Sequence, residues 1–155
     1  MESADLSEID LFRAIRVSGA RSLLIGRRAL VALGLPVATH DYDFWLHFDD
    51  VEAFNVALER YEHFPTCSPD VARQRGRYVI ENGEHIDVMI ARSRTNADGE
   101  ELTFDQAWSR RQLLPFGATE LVLPSLDDLV RTKKWAMRAK DIADIQLLEA
   151  LRRAP

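Results

Sequence analysis

Two aspartates that lie two residues apart in an apolar stretch are the clearest chemical feature of this sequence. Asp41 and Asp43 belong to the stretch Thr39-His40-Asp41-Tyr42-Asp43-Phe44-Trp45-Leu46. If residues 38–48 form a strand, positions i and i+2 point to the same face, and the two carboxylates lie side by side. Adjacent carboxylates repel each other, and a hard cation such as Mg²⁺ removes that cost because it prefers oxygen ligands. The pattern therefore predicts a site for a divalent metal.

A third aspartate is predicted to lie on the second arm of a hairpin. Asn82-Gly83 separates two strand-like stretches, residues 77–81 and 84–90, and this pair is a strong signal for a tight hairpin turn. One face of the second arm carries aliphatic side chains that we expect to pack against helices, namely Ile86, Val88 and Ile90. Asp87 then lies on the open face. If the two acidic strands are neighbours, three carboxylates can bind one or two Mg²⁺ ions, a ligand set suited to phosphoryl transfer.

A glycine separates the first apolar strand from a helix. Residues 22–25 predict a buried strand, and residues 27–33 predict a helix. A strand, a glycine and a helix N-terminus can together receive phosphate through backbone N–H groups and the helix dipole. Arg27 and Arg28 are unfavourable at a helix N-terminus unless an anion is near, which slightly favours an anion beside Gly26.

The rest of the chain predicts helices around a small sheet. Apolar residues at helical spacing indicate helices at residues 5–18, 51–61, 104–114, 125–138 and 141–153. Asp5 and Glu8 are expected to form a capping box. Loops are expected at residues 62–76 and 91–101, and an edge strand at residues 121–123 before Pro124.

These elements predict an α+β fold with a small mixed β-sheet, helices packed on one face, and helices at the C-terminus. We expect a single domain over residues 1–155, with its core at about 20–123 and a C-terminal helical segment at about 125–153. The tryptophans are interpreted as core residues, namely Trp45, Trp108 and Trp135.

Length and composition exclude several classes of protein. The chain has 155 residues, which suits one compact domain, and its net charge of −5 argues against binding nucleic acid or acidic membranes through overall charge. Cys67 is the only cysteine, so an internal disulfide is excluded, as is typical of a reducing cytosol. The sequence shows neither an apolar signal core nor an apolar run long enough to span a membrane. We therefore expect a cytoplasmic protein without a membrane partner.

The order and spacing of the motifs resemble the DNA polymerase beta-like nucleotidyltransferase superfamily. The shared features are a strand ending at Gly26, the pair Asp41-x-Asp43, Thr39 two residues before that pair, and Asp87 on a later strand. The stretch that begins at Leu123-Pro124-Ser125 and reaches Asp144 is similar to the helical segment of uncharacterised, abortive-infection and toxin–antitoxin members. The resemblance covers about residues 20–150.

The resemblance implies an activity and a set of functional residues. Mg²⁺, or alternatively Mn²⁺, would be held by the catalytic residues Asp41, Asp43 and Asp87. The enzyme would move a nucleoside monophosphate from a nucleoside triphosphate to a hydroxyl of RNA, a protein or a small molecule, and release pyrophosphate. Nucleotide binding would involve Gly26, Arg27, Arg28 and Thr39, and either Lys133 or Lys134 could reach a phosphate.

Arg27 departs from the family pattern, in which a small residue follows the glycine. Its long side chain could block the approach of the phosphates, or its guanidinium could bind them in bidentate fashion. This departure, together with a small size that leaves little room for an acceptor-binding domain, motivates an alternative function. It is a catalytically weak or inactive module that binds a partner protein, for example in a toxin–antitoxin or defence pair.

Two less specific interpretations remain beside these. His40 and His85 lie near the aspartates, so a mixed His/Asp transition-metal site is a less favoured alternative. The basic residues toward the C-terminus are more typical of a solvated helix face that nearby aspartates partly neutralise. They are Arg131, Lys133, Lys134, Arg138 and Lys140.

Overall fold

The structure is a computed structural model that describes residues 7–155, apart from the side chain of Glu84. Within these residues the α-helices are α1 Glu8–Ser18, α2 Gly26–Ala32, α3 Val51–Glu59, α4 Pro69–Arg75, α5 Phe104–Ser109, α6 Leu126–Lys133 and α7 Ala139–Arg153. The strands are β1 Ser22–Ile25, β2 Asp41–Leu46, β3 Phe64–Pro65, β4 Arg77–Asn82, β5 Glu84–Met89, β6 Ser93–Thr95, β7 Glu101–Thr103, β8 Gln112–Phe116 and β9 Thr119–Leu123.

A five-stranded mixed sheet organises the fold, with the strand order β1-β2-β5-β4-β3. The two strands that carry the aspartates, β2 and β5, are parallel neighbours, and the other pairs of this sheet are antiparallel. The hairpin predicted at Asn82-Gly83 joins β4 to β5, and Gly83 adopts the left-handed φ of 75° that its turn requires. The predicted α+β class and mixed sheet are confirmed.

The main core lies on one face of this sheet. The aliphatic face predicted for β5 is fully buried there, with Ile86, Val88 and Ile90 at most 1% exposed. Phe44 of β2 lies between two helices, because its ring packs edge-on against Phe12 of α1 and Phe54 of α3. Strand residues therefore alternate between this core and the opposite face.

The opposite face of the sheet is only partly covered. Trp45 is fully buried there with residues from β1, β7 and α5, namely Leu23, Ile25, Leu102, Phe104 and Ala107. The Trp45 indole N–H donates to the Ala91 carbonyl at 2.8 Å. Trp108 and Trp135 are only half-buried at the edge of this second cluster, so they are not full core residues. The acidic centre of the sheet stays open on this side.

The prediction of a loop over residues 62–76 is wrong, because this segment contains β3 and α4. Ser68 begins α4 by accepting a hydrogen bond from the backbone N–H of Val71 at 3.3 Å, and Pro69 follows in the first turn. Gly76 ends the helix at a left-handed φ of 77°. These are ordinary helix start and stop signals, and a helix as short as this one leaves little periodicity to detect.

Two further predictions between residues 91 and 123 are wrong in detail. Residues 93–95 and 101–103 pair as β6 and β7 instead of forming part of a loop. The helix predicted over 104–114 ends at Ser109, because the following residues form β8 with the alternating burial of a strand. β9 confirms a strand at residues 121–123, although it pairs with β8 in a separate two-stranded sheet and not at the edge of the main sheet.

The ends of several elements also differ from the predictions. β2 is shorter than residues 38–48, and α6 ends at Lys133 before a turn in which Met137 has a φ of 50°. Ser7 caps α1 by accepting from the Asp10 backbone N–H at 3.2 Å, and the capping box predicted for Asp5 involves a residue outside the described part of the chain. No helix within residues 7–155 has the length and apolar character needed to cross a membrane.

Candidate active site

Asp43 and Asp87 lie directly opposite each other on the open face of the sheet. They are register partners in the parallel pair β2 and β5, so their side chains leave the sheet on the same side. Asp43 is half-buried, and the Asp87 side chain is 37% exposed. Asp41 lies two residues earlier on the same face, is exposed, and pairs in register with His85. The structure thus brings together the strands of all three predicted aspartates.

The negative charges of this group perturb Asp43 most. Burial raises the pKa of Asp43 to about 6, and the nearby charges of Asp87 and Asp41 add to the rise. The cations of Lys133 and Arg138 act in the opposite direction but do not outweigh these effects. A bound cation would favour the ionised form of Asp43, because it would replace repulsion by attraction.

Gly26 is required by the position of Asp43. Gly26 has a left-handed φ of 69° at the start of α2, and a Cβ atom added there would collide with Oδ2 of Asp43. The same Cβ would come within 3.0 Å of Cβ and Cγ of that side chain. The glycine therefore lets α2 begin in contact with the Asp43 carboxylate. This contact explains a glycine at position 26 without any bound ligand.

Arg27 neither covers the aspartates nor points toward them. Its Nε and Nη2 donate to the two carboxylate oxygens of Asp144 on α7 at 3.1 and 3.2 Å. Nη1 lies 3.5 Å from the carbonyl of Ala38. The long side chain that replaces the family's small residue is therefore directed away from the open face, toward the C-terminal helix.

Arg28 and Thr39 stabilise the segment that leads into β2. The Arg28 guanidinium donates to the carbonyls of Thr39 and Asp41 at 3.2 and 3.4 Å and lies 4.1 Å from the ring centre of Tyr42. Thr39 Oγ1 accepts from the Asp41 backbone N–H at 3.1 Å. Neither side chain borders the cavity described below, and the contacts of both stabilise the backbone before β2. Their role in nucleotide binding stays a prediction.

A cavity of about 330 Å³ lies over the two central aspartates. The sheet provides its floor, while β6 and the chain from the end of α6 to the start of α7 provide its walls. Its charged lining consists of Asp43, Asp87, Asp141, Arg77, Arg94, Lys133 and Arg138. Its apolar lining includes Ile25, Met89 and Trp135. The cavity has the size of a small-molecule site and combines both signs of charge.

The two predicted lysines have different positions. Lys133 borders the cavity and is nearly buried, and its Nζ lies 2.9 Å from Asp144 Oδ2 and 3.8 Å from Asp141 Oδ1. Lys134 is directed elsewhere, because its Nζ donates to Asp98 at 2.7 Å. Only Lys133 is therefore placed to contact a ligand in the cavity.

The interpretation of the C-terminal basic residues as a solvated helix face is wrong for Lys133. Asp128, Asp141 and Asp144 are at most 2% exposed, and Lys133 is 7% exposed. Asp144 joins two cations from different elements, Arg27 and Lys133. The i, i+3 pair of Arg138 and Asp141 was visible in the sequence, but the burial of Asp141 was not, and the Arg138 side chain stays 59% exposed. The sequence signal for this burial was the presence of charged residues at positions between the apolar residues of an amphipathic helix.

The acidic pair has the donor chemistry for a divalent cation. Within residues 7–155, no three histidine, cysteine or acidic side chains form a group arranged to hold a metal ion. The central donors are the carboxylates of Asp43 and Asp87, while His85 Nε2 lies 3.2 Å from Asp87 Oδ2. Two neighbouring carboxylates repel each other, and this repulsion contributes to the raised pKa of Asp43. A hard cation bound between them would replace the repulsion by attraction.

Solved nucleotidyltransferases share the architecture of this chain. A Thermotoga maritima protein solved as a candidate nucleotidyltransferase superposes with a TM-score of 0.59 and 12% identity, over 94% of this chain and 88% of that one. The antibiotic-resistance factor ANT(2'')-Ia gives a TM-score of 0.65 and 13% identity, over 93% and 81%. The lincosamide antibiotic adenylyltransferase LnuA, solved with lincomycin bound, gives 0.62 and 14%, over 94% and 98%.

Comparison of the sequence with family profiles and curated proteins gives no match. No protein-family profile matches the chain, and no curated protein matches it significantly. The structural matches nevertheless cover nearly the whole chain. At identities this low they establish the architecture alone, and the chain therefore has the nucleotidyltransferase fold.

Proposed function

We propose that this protein is a metal-dependent nucleotidyltransferase whose active site is the cavity over Asp43 and Asp87. The observation that carries the proposal is the register of these two aspartates, which face each other in the centre of an open sheet. The fold agrees with this proposal, because its solved relatives include adenylyltransferases.

The proposed reaction transfers a nucleoside monophosphate to an acceptor. The hydroxyl oxygen of the acceptor forms a bond to the α-phosphorus of a nucleoside triphosphate. The bond from that phosphorus to the oxygen that bridges to the β-phosphorus breaks, and pyrophosphate leaves with this oxygen. Asp87, whose side chain is 37% exposed, accepts the hydroxyl proton as the bond forms.

A divalent cation, Mg²⁺ or Mn²⁺, would be held by Asp43 and Asp87 with Asp41 beside them, and would neutralise charge on the phosphate oxygens. Lys133 and Arg138 provide positive charge at the cavity, and Lys133 shares Asp144 with Arg27, the residue after Gly26. We assign phosphate contact to these two residues first, because both border the cavity. Their acidic partners, Asp144 and Asp141, hold the two cations in position before a nucleotide arrives.

Arg27 does not support the alternative of an inactive module. One ground for that alternative was a side chain that obstructs the phosphates, whereas the Arg27 guanidinium pairs with Asp144 on α7. An inactive partner-binding module in a toxin–antitoxin or defence pair would bind neither nucleotide nor metal through the aspartates. Calorimetry with nucleoside triphosphates and Mg²⁺ separates the two functions.

The direct test is nucleotidyl transfer with labelled triphosphates, Mg²⁺ or Mn²⁺, and acceptors drawn from RNA, proteins and small molecules. We expect Asp43→Asn and Asp87→Asn each to lower the rate by at least about 100-fold, as removal of a central electrostatic group does in other enzymes. Asp70→Asn is the matched control, because its side chain is 94% exposed and lies outside the cavity. Transfer that survives both cavity substitutions at the control rate would show that the site is elsewhere.

A further inference from the structure

Two arginines border the cavity without an acidic partner in the described part of the chain. Arg77 begins β4 and Arg94 is the middle residue of β6, and both are exposed. The other two cations of the cavity are engaged, since Lys133 pairs with Asp144 and Arg138 pairs with Asp141. Within residues 7–155, neither Arg77 nor Arg94 lies within salt-bridge distance of a carboxylate. Their charge is therefore available to a ligand.

These arginines flank one point of the cavity floor, next to Asp87. Arg77 is the register partner of Met89, which lies two residues beyond Asp87 on the same face of β5. Arg94 reaches the same residue from β6, with Nη1 3.9 Å from the Met89 sulfur. Its guanidinium also lies 5.2 Å from the ring centre of Trp135. Arg77 and Arg94 thus both border the cavity at Met89, two residues along β5 from the carboxylate that would receive the hydroxyl proton.

The strand order separates Arg77 from the Gly26 side of the cavity. Gly26 follows β1, whereas Arg77 is on β4, and the two aspartate strands β2 and β5 lie between them. Three strand spacings amount to about 14 Å. If the triphosphate lies on the Gly26 side, Arg77 lies on the side that is left for the second substrate, and Arg94 lies next to the same Met89.

We propose that the acceptor carries a phosphate group, which Arg77 and Arg94 bind while the acceptor's hydroxyl lies at Asp87. The inference rests on the proposed function and narrows its acceptor to an anionic class. A guanidinium binds phosphate through two parallel hydrogen bonds, and two of them suit a phosphate monoester or a phosphodiester. An aminoglycoside such as tobramycin carries several ammonium groups, which these arginines would repel.

Binding of ribose 5-phosphate tests the inference without requiring activity. Ribose is the matched uncharged probe. The variant is Arg77→Gln with Arg94→Gln, and the control is Arg75→Gln with Arg92→Gln, which removes the same charge from two exposed residues outside the cavity. Calorimetry or NMR titration should show ribose 5-phosphate binding to the wild type and the control, at least tenfold weaker binding to the cavity variant, and no comparable binding of ribose.

Two further measurements identify the source of the phosphate and separate the possible failures. Tighter binding of a short oligoribonucleotide than of ribose 5-phosphate, lost in the cavity variant, indicates a phosphodiester, and the reverse order indicates a small phosphorylated acceptor. Equal binding by the cavity variant and the control overturns the inference, as does loss of ATP and Mg²⁺ binding in the cavity variant. Ribose 5-phosphate binding that depends on the two arginines, without any nucleotidyl transfer, would contradict the proposed function but support the anion site.

Discussion

Replacing Gly26 by alanine should damage the site more than it damages the fold, and the structure supplies a control that separates the two effects. At Gly26 the new Cβ meets the Asp43 carboxylate, and the residue also has a left-handed φ of 69°. Gly34 has a comparable φ of 82°, but a Cβ there would have no atom within 4 Å. The two substitutions therefore share the backbone cost and differ in the contact with Asp43.

The shared backbone cost is about 1–2 kcal/mol, because a residue with a Cβ is strained in the left-handed region. The added contact at Gly26 requires the half-buried Asp43 side chain to move, which we estimate at about 1–3 kcal/mol, as for overpacking in a core. Gly34→Ala should thus lower the free energy of unfolding by about 1–2 kcal/mol, and Gly26→Ala by about 2–5 kcal/mol. In a chain of this size each kcal/mol lowers Tm by about 2–4 °C.

Urea denaturation of both variants measures the difference, and the same pair in an Asp43→Ala background completes a double-mutant cycle. Removing the carboxylate should abolish most of the extra cost of Gly26→Ala and leave the cost of Gly34→Ala unchanged. Nucleotidyl transfer and Mg²⁺ binding should fall at least tenfold in Gly26→Ala and stay near wild type in Gly34→Ala. Equal free energies of unfolding for the two alanine variants would refute the close approach to Asp43 as the reason for the glycine.

Two other predictions concern titration and a buried hydrogen bond. The raised pKa of Asp43, about 6 against an ordinary value of about 3.9, means that the folded protein holds this proton more tightly than the unfolded chain. Its contribution to stability is therefore complete below about pH 4 and is lost as the pH rises through 6. Relative to wild type, Asp43→Asn should gain about 2–3 kcal/mol in the free energy of unfolding between pH 4 and pH 8, and parallel pH profiles of unfolding would contradict this. Tyr78 donates its hydroxyl to Asn55 Oδ1 at 2.6 Å in the core, so Tyr78→Phe should cost about 1–3 kcal/mol in thermal or urea unfolding, against little change for the half-buried control Tyr61→Phe.

Local patterns in the sequence were enough to place the acidic residues on one face of strands. The spacing of Asp41 and Asp43 follows directly from the alternation of a strand, and Asn82-Gly83 specifies the hairpin that presents Asp87. These signals involve residues close in the chain, so they hold in nearly any tertiary arrangement. The two short strands of residues 91–103 were missed because three residues provide too little periodicity to recognise.

Such local patterns do not predict the direction of a long side chain. Arg27 was expected either to block phosphates or to bind them, yet its guanidinium pairs with Asp144, 117 residues later in the chain. The same carboxylate also accepts a hydrogen bond from Lys133. The three residues lie on α2, α6 and α7, so their contact depends on how these helices pack. Burial of Asp144 is what makes both cations hold their positions, since a buried carboxylate needs charged partners.

The sequence by itself determined which faces of the strands carry the carboxylates, because side-chain direction along a strand depends only on the alternation of neighbouring residues. Only the tertiary structure decided that Asp43 and Asp87 are register partners, that Gly26 makes room for Asp43, and that Arg77 and Arg94 both lie next to Met89. Strand order and register depend on which helices cover the other face of the sheet. That packing is a property of the whole chain, and no short stretch of residues specifies it.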